Sequence, residues 1–295
     1  MWKQAQRMKT TARVDAAGVE LHVATCGEGP PLLLTHGMLC SCRMFDRVVP
    51  DLAERFRVVT FDFSGHGRSG SASGKISFER LILETESVQE ALEVRHPVFV
   101  GFSMGGMAGM RLALRDPKRF RALVLANASA GAHAFAERQG IHALATLTHA
   151  FGIRRRALQI ATQQMFSDAF IEAEPDTERD WSAAVRGMRK RDIARTTHLV
   201  AGRKPILPAL ASLPLPALVI GSEWDTATPP EEADAIARAL PGSVFVRIPR
   251  AGHATPLEAP GAVVDAIVNF VDNGLDENRE DCKDAASTRK WPEAH

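Results

Sequence analysis

Short, uniformly apolar runs recur along this chain, separated by stretches in which apolar residues return every three or four positions. Leu32-Leu-Leu-Thr35, Val58-Val-Thr-Phe61, Val98-Phe-Val100, Ala122 to Leu125 and Ala217-Leu-Val-Ile-Gly221 are runs of the first kind. Val98-Phe-Val100 and Ala217 to Gly221 have the pattern of strands buried on both faces of a mostly parallel sheet; Leu32 to Thr35, with the opening strands, reads as sheet-edge material, and Val58 to Phe61, Ala122 to Leu125 and Val244 to Ile248 are further strands. Helical spacing marks Phe78, Leu81, Ile82, Val88 and Leu92, then Met107 to Leu114, Glu231 to Leu240, and a last stretch carrying Val263, Ile267 and Phe270. A further helix is expected around Phe45 to Arg55. An opening pair of strands lies within Val14 to Thr25 and turns at Ala17-Gly18, and Gly27-Glu-Gly-Pro-Pro31 breaks into the next strand. Alternating strands and helices predict an α/β fold, a mostly parallel central sheet flanked by helices.

From Gly131 to Lys204 the strand pattern stops and helical periodicity takes over, most cleanly at Trp181, Ala184, Val185 and Met188. A helical cap over 131–204 is therefore expected, inserted between two parts of one core, 1–130 and 205–272. Prolines at 205, 208, 214 and 216 bring the chain back to the sheet. Beyond Asn273 the sequence is polar, mixed in charge and without periodicity, so 273–295 reads as a disordered tail.

A composition of 45% hydrophobic and 24% charged residues over 295 positions suits a globular protein. A net charge of +1 gives no general reason to expect nucleic acid or a membrane surface as partner. Met1 to Gly18 lacks the apolar segment of a secretory signal, and no run is long enough to span a bilayer. Cys26, Cys40, Cys42 and Cys282 lack zinc-type pairing, and Cys40-Ser-Cys42 is too close for an ordinary bridge; reduced thiols and a cytoplasmic location follow as expectations. His133, His142 and His149 show no metal-type i, i+4 spacing. Neither a metal nor another cofactor is expected.

The chemistry centres on Gly101-Phe-Ser-Met-Gly105, a G-x-S-x-G segment directly after an apolar strand and before a helix. Such a turn holds a serine exposed at the start of the helix, where backbone amides stabilise developing negative charge. The bland alternative is a tight turn with an incidental serine. A serine nucleophile needs an imidazole to take its proton and a carboxylate to orient that imidazole, both from loops at strand ends. Asp225 follows the strand ending at Gly221, and His253 follows the strand ending at Ile248, which gives the order Ser103, Asp225, His253. Glu223 is the local competitor for the acid. Asp225 also has a reading as a helix cap, but Thr228 is better placed for that. His36 and His66 read as hydrogen-bonding braces of their loops.

With these residues in place, the chain resembles the α/β-hydrolase superfamily over about residues 20 to 272, within it the capped esterases, enol-lactonases, carbon–carbon hydrolases and cofactor-free haloperoxidases. The resemblance rests on His36-Gly37, Asp62-Phe-Ser-Gly-His-Gly-Arg-Ser69, Gly101-Phe-Ser-Met-Gly-Gly106 and Gly252-His-x-x-Pro-Leu-Glu-x-Pro260. It implies that the backbone amides of Met38 and Met104 form an oxyanion hole, and that the turn after Asp62 is structural. Some relatives carry the acid after the strand before the cap, where this chain has Asn127. Cap residues Phe135, Leu147, Phe151, Met165, Phe166 and Trp181 either line an apolar substrate pocket or pack the cap on the core. Arg154-Arg-Arg156 and Arg189-Lys-Arg191 are solvated helix faces or favour an anionic substrate.

The function implied is that of a serine hydrolase acting on a small carboxylic ester or lactone. Carbon–carbon bond hydrolysis or perhydrolysis with the same triad is an alternative, as is a non-enzymatic ligand sensor on this fold. Haloalkane dehalogenases and epoxide hydrolases of this fold use an aspartate where Ser103 stands, and the chain has no tyrosine to assist epoxide opening. The motifs identify a superfamily without selecting a substrate, and they set no oligomeric state.

Overall fold

The computed structural model describes residues 10–275. Eight strands form one sheet in the order β1-β2-β4-β3-β5-β6-β7-β8. They are β1 (Thr10–Asp15), β2 (Glu20–Cys26), β3 (Pro31–Thr35), β4 (Arg57–Phe61), β5 (Val98–Phe102), β6 (Ala122–Ala126), β7 (Ala217–Ser222) and β8 (Val244–Ile248). Only the β1–β2 and β2–β4 pairings are antiparallel; β4 to β8 run parallel. Period-two alternation sends Leu33, Val59, Phe99, Leu123 and Val219 to one face and Leu32, Val58, Val100, Val124 and Leu218 to the other. Both faces are covered, which is why these runs read as continuously apolar.

Helices α1 (Val49–Leu52), α2 (Phe78–Ala91) and α3 (Met104–Arg115) follow β3, β4 and β5. Five more stand between β6 and β7: α4 (Phe135–Phe151), α5 (Arg155–Met165), α6 (Asp168–Ala173), α7 (Pro175–Gly187) and α8 (Lys190–Ala201). The last helices among the described residues are α9 (Pro230–Ala239), α10 (Thr255–Glu258) and α11 (Pro260–Gly274). The helix expected around Phe45 to Arg55 is instead a 3₁₀ turn, Cys42–Phe45, followed by the single turn α1 with Pro50 in its first turn. Pro50 has no amide to donate, so the two pieces do not merge into one helix. Asn273 and Gly274 still belong to α11, and the tail expected beyond them lies outside the described residues from 276 on. Among the described residues no helix is long and apolar enough to cross a membrane.

The loops at the carboxyl ends of the parallel strands meet the α4–α8 insertion. Leu158, Phe166, Phe170, Trp181 and Val185 from the insertion join Met44, Phe45, Phe102 and Leu257 in one apolar cluster. The Ala254 amide donates to the Met165 carbonyl at 2.9 Å, and the Ser167 hydroxyl donates to Glu258 at 2.6 Å.

Candidate active site

β5 ends at Phe102 and α3 starts at Met104, so Ser103 alone makes the turn, with φ 52° and ψ −117°. Positive φ is unfavourable for a residue with a Cβ and persists only where the surroundings enforce it. The enforcement is close packing: a Cβ on Gly105 would lie 2.4 Å from the Thr35 carbonyl oxygen, and one on Gly101 would lie 2.6 Å from the Gly106 Cα. The Ser103 amide donates to the Ala126 carbonyl at 2.9 Å, which ties the turn to β6. A serine at a helix start ordinarily caps it through its hydroxyl. Ser103 makes no such bond; its Oγ lies 3.0 Å from His253 Nε2.

His253 stands in the loop between β8 and α10, and its Nδ1 lies 2.8 Å from Asp225 Oδ2. Because Asp225 can only accept, Nδ1 carries a proton and donates it, and neutral His253 presents Nε2 as an acceptor to the Ser103 hydroxyl. All three side chains are buried, with Ser103 the most accessible at 9%. Asp225 Oδ1 accepts the amides of Ala227 and Thr228 at 2.9 and 2.8 Å, while Oδ2 also accepts Asn127 Nδ2 at 2.8 Å and the Thr228 hydroxyl at 2.7 Å. Burial pushes the Asp225 carboxyl up, but the attraction of the imidazolium that His253 becomes on taking up a proton and the hydrogen bond from its ring, helped by the Thr228 amide and the Asn127 side chain, hold it below its ordinary value.

Three polar side chains around this carboxylate were not singled out by the sequence as its partners. Thr228 was expected to cap the following helix; α9 instead has Pro229 at its cap, and the Thr228 hydroxyl is committed to Asp225. Asn127, at φ 48°, donates to both Ser222 Oγ (2.7 Å) and Asp225, and accepts the Thr255 hydroxyl at 2.6 Å. Ser222 in turn donates to the Gly252 carbonyl beside His253 at 2.6 Å. The loops after β6, β7 and β8 are thus locked together beneath the Asp225–His253 pair. Glu223 is exposed and accepts the Arg250 amide at 2.9 Å, away from His253.

On the other side of Ser103 runs the loop after β3. A Cβ on Gly37 would come within 3.0 Å of the Ser103 Cβ, so only glycine lets this backbone pass so close. Met38 follows directly. Met104 is the first residue of α3, and its amide is among those a helix start leaves without an intrahelical acceptor. His36 Nδ1 donates to the Gly37 carbonyl at 2.7 Å, and Nε2 accepts the Phe63 amide at 3.0 Å. Burial lowers the pKa of His36 and takes that of His66 down to about 3, the latter helped by His36. Both rings are neutral braces.

A cavity of about 560 Å³ opens between α7, α8 and the loops after β3 and β4. Leu39, Cys40, Met44, Trp181, Met188 and Leu257 form its apolar wall; Arg43, Arg47 and Arg189 face Asp46, Asp180 and Asp192 around it. No triad atom is part of this wall, although Leu39 adjoins Met38 and Leu257 lies four residues past His253. Of the six pocket candidates named from sequence, Trp181 lines the cavity, and Met165 and Phe166 are buried in the apolar cluster beside it. Phe135, Leu147 and Phe151 lie apart from it. They are 68%, 56% and 63% exposed on α4 and are not part of the wall of this cavity, because α4 turns Ala145 and Thr148 inward.

Donor atoms of a metal-binding type converge, among the described residues, at buried His22, Cys42 and Asp62, all within 4.8 Å of one another. Both Asp62 oxygens there accept backbone amides, from Cys42 at 2.6 Å and Arg68 at 2.9 Å, so this carboxylate staples the turn after β4 to the loop after β3.

Comparison with known proteins bears on the fold and the family. The chain is 26% identical over 254 residues to 3-oxoadipate enol-lactonase 2 of Acinetobacter baylyi, covering 85% of this chain and 93% of the relative. It is 37% identical over 125 residues to a putative non-heme haloperoxidase of Mycobacterium phage D29, a match spanning 42% of this chain and 45% of the relative. Among solved structures, a thermophilic esterase from Thermogutta terrifontis superposes with a TM-score of 0.83 at 25% identity, over 89% of this chain and 98% of the other. Residues 30–260 match the alpha/beta hydrolase fold family, to which this chain belongs.

Proposed function

We propose that this protein is a serine hydrolase that cleaves a small carboxylic ester or lactone through an acyl-enzyme. The observation that carries this reading is the relay from Asp225 Oδ2 to His253 Nδ1 (2.8 Å) and from His253 Nε2 to Ser103 Oγ (3.0 Å), built on a strained nucleophile turn. His253 takes the hydroxyl proton as Ser103 Oγ bonds to the substrate carbonyl carbon. The resulting oxyanion is held by the amides of Met38 and Met104. Collapse expels the alcohol, which takes the proton from His253; for a lactone the alcohol stays tethered to the acyl group. Water, deprotonated by His253, then attacks the acyl carbon and restores Ser103. Asp225 fixes the imidazole tautomer and offsets its charge at each proton transfer.

Support for ester and lactone chemistry comes from the relatives named as an enol-lactonase and an esterase. Trp181, Met188 and Leu257, with balanced charge at the cavity mouth, suit an uncharged, partly apolar substrate. Turnover of p-nitrophenyl esters and simple lactones by wild type, Ser103→Ala, His253→Ala and the double variant tests the proposal. Each single variant is expected to lose nearly all turnover, and the double variant little more, because triad members act as a unit. Losses that add would overturn the assignment.

A further inference from the structure

Helix α4 turns its apolar residues toward solvent. Its inner side packs on α8 through buried Ala145 and Thr148, and the His142 and His198 rings meet there with Nδ1 atoms 2.8 Å apart. At one residue per roughly 100°, Ala136, Gly140, Ala143, Leu144, Leu147 and Phe151 fall within an arc of about 120° on the opposite side, and all six are exposed. A surface helix ordinarily puts polar residues there. Gly140 also sits mid-helix, where a Cβ would meet nothing within 4 Å, so the folded chain itself supplies no reason for the weakest helix former after proline.

We infer that this face docks a second copy of the chain, α4 against α4, antiparallel about a two-fold axis. The face is complementary to itself in that orientation. Phe151 of one copy falls opposite Ala136 of the other, Leu147 opposite Gly140, and Leu144 opposite Ala143, so each large side chain meets a small one, as an isologous contact requires. Positions 136, 140, 143 and 147 follow the alternating four- and three-residue spacing of a helix–helix seam. Parallel pairing in register would set Phe151 on Phe151 and leave Gly140 facing Gly140. Charge selects the same orientation: exposed Glu137 lies near the start of α4, and exposed Arg154, Arg155 and Arg156 lie just beyond its end. Antiparallel docking sets the three arginines of each copy against a helix start where Glu137 stands beside Arg138 and 2.8 Å from His133, whereas parallel docking stacks the arginines of both copies together. One helix of 17 residues makes a small interface. It falls under about 1,200 Å², the size class of weak, transient contacts.

Sedimentation velocity over a concentration series through the micromolar range tests this, with melting temperature and ester turnover reporting that each variant is folded. Wild type is expected to move from monomer to dimer. Gly140→Leu, which has room in the monomer, and Leu147→Ala are each expected to weaken dimerisation by about tenfold or more, the first by filling the hole and the second by removing its occupant. Combining them exchanges large for small and is expected to restore the dimer. A wild type that stays monomeric, a dimer indifferent to both single variants, or a folded double variant that fails to recover would overturn the inference. So would a monomer that binds vesicles of anionic phospholipid through these residues, since the face would then belong to a membrane.

Discussion

Replacing Asn127 with alanine removes the side chain that joins the loops after β6, β7 and β8. Asn127 Nδ2 donates to the buried Asp225 carboxylate at 2.8 Å, and Oδ1 accepts the Thr255 hydroxyl at 2.6 Å. A hydrogen bond to a charged group contributes about 1.5 to 3 kcal/mol, and an orphaned buried hydroxyl costs about 1 to 3. Asp225 keeps the Ala227 and Thr228 amides and the Thr228 hydroxyl, so the net loss is taken as about 3 kcal/mol. At about 2 to 4 °C per kcal/mol for a domain of this size, the melting temperature should fall by about 6 to 12 °C. Turnover should fall by about tenfold, far less than the ~10⁴ expected for Asp225→Asn, because the acid itself remains. The folded-state pKa of Asp225 is depressed, so its stabilisation is present above the ordinary value of 3.8 and is lost as pH falls through the native value. With one donor gone that depression shrinks, and the acid-unfolding midpoint should move to higher pH. Thermal and acid unfolding followed by circular dichroism, with p-nitrophenyl acetate kinetics, read all three effects. A melting temperature within about 2 °C of wild type, together with an unchanged acid midpoint, would refute the reasoning and make Asn127 a filler of space.

Trp181→Ala should cost about 3 to 5 kcal/mol of stability and alter ester chain-length preference, since Trp181 is buried in the apolar cluster and also lines the cavity. Phe151→Ala, at a side chain 63% exposed, should leave the chain-length profile unchanged and monomer stability within about 0.5 kcal/mol; the same chain-length shift in both variants would contradict this placement. His66 has a folded-state pKa of about 3 against an ordinary 6.5, so below 6.5 the unfolded chain takes up a proton that the native ring refuses, and stability is lost as pH falls toward 3. Each pH unit in that window costs about 1.4 kcal/mol. Denaturant titrations at pH 7 and pH 5 should therefore show a smaller loss in His66→Gln than in wild type, and equal losses would show that His66 titrates normally.

The sheet was legible because strands covered on both sides are continuously apolar: Val98 to Val100 and Ala217 to Ile220 admit few other readings, whereas Leu32 to Leu34, read as sheet-edge material, lies inside the sheet between β4 and β5. Ser103 and Asp225 were picked out because each follows such a strand, and His253 because it follows β8, the half-buried strand at the edge of the sheet. What failed had a common cause, since periodicity shows that a helix has an apolar face but not where that face points. In α4 the regular series through Leu144, Leu147 and Phe151 is the outer one, and the helix packs through the less apolar pair Ala145 and Thr148. The network of Asn127, Ser222, Thr228 and Thr255 was illegible for another reason. These short polar residues come from separate loops, and only the closing of the sheet brings them within hydrogen-bonding distance. Pro50 lies within the helix expected over Phe45 to Arg55, and the 3₁₀ turn before it is tied down by the Asp62 carboxylate accepting the Cys42 amide, a contact across twenty residues.

The most direct test of the central claim is the intact mass and peptide map of the protein after reaction with a fluorophosphonate, which bonds covalently to activated serines. One equivalent should add, on the peptide containing Ser103, and His253→Ala should abolish the reaction while remaining folded. Labelling at another residue, or undiminished labelling of Ser103 without His253, would contradict the claim that this relay activates the nucleophile.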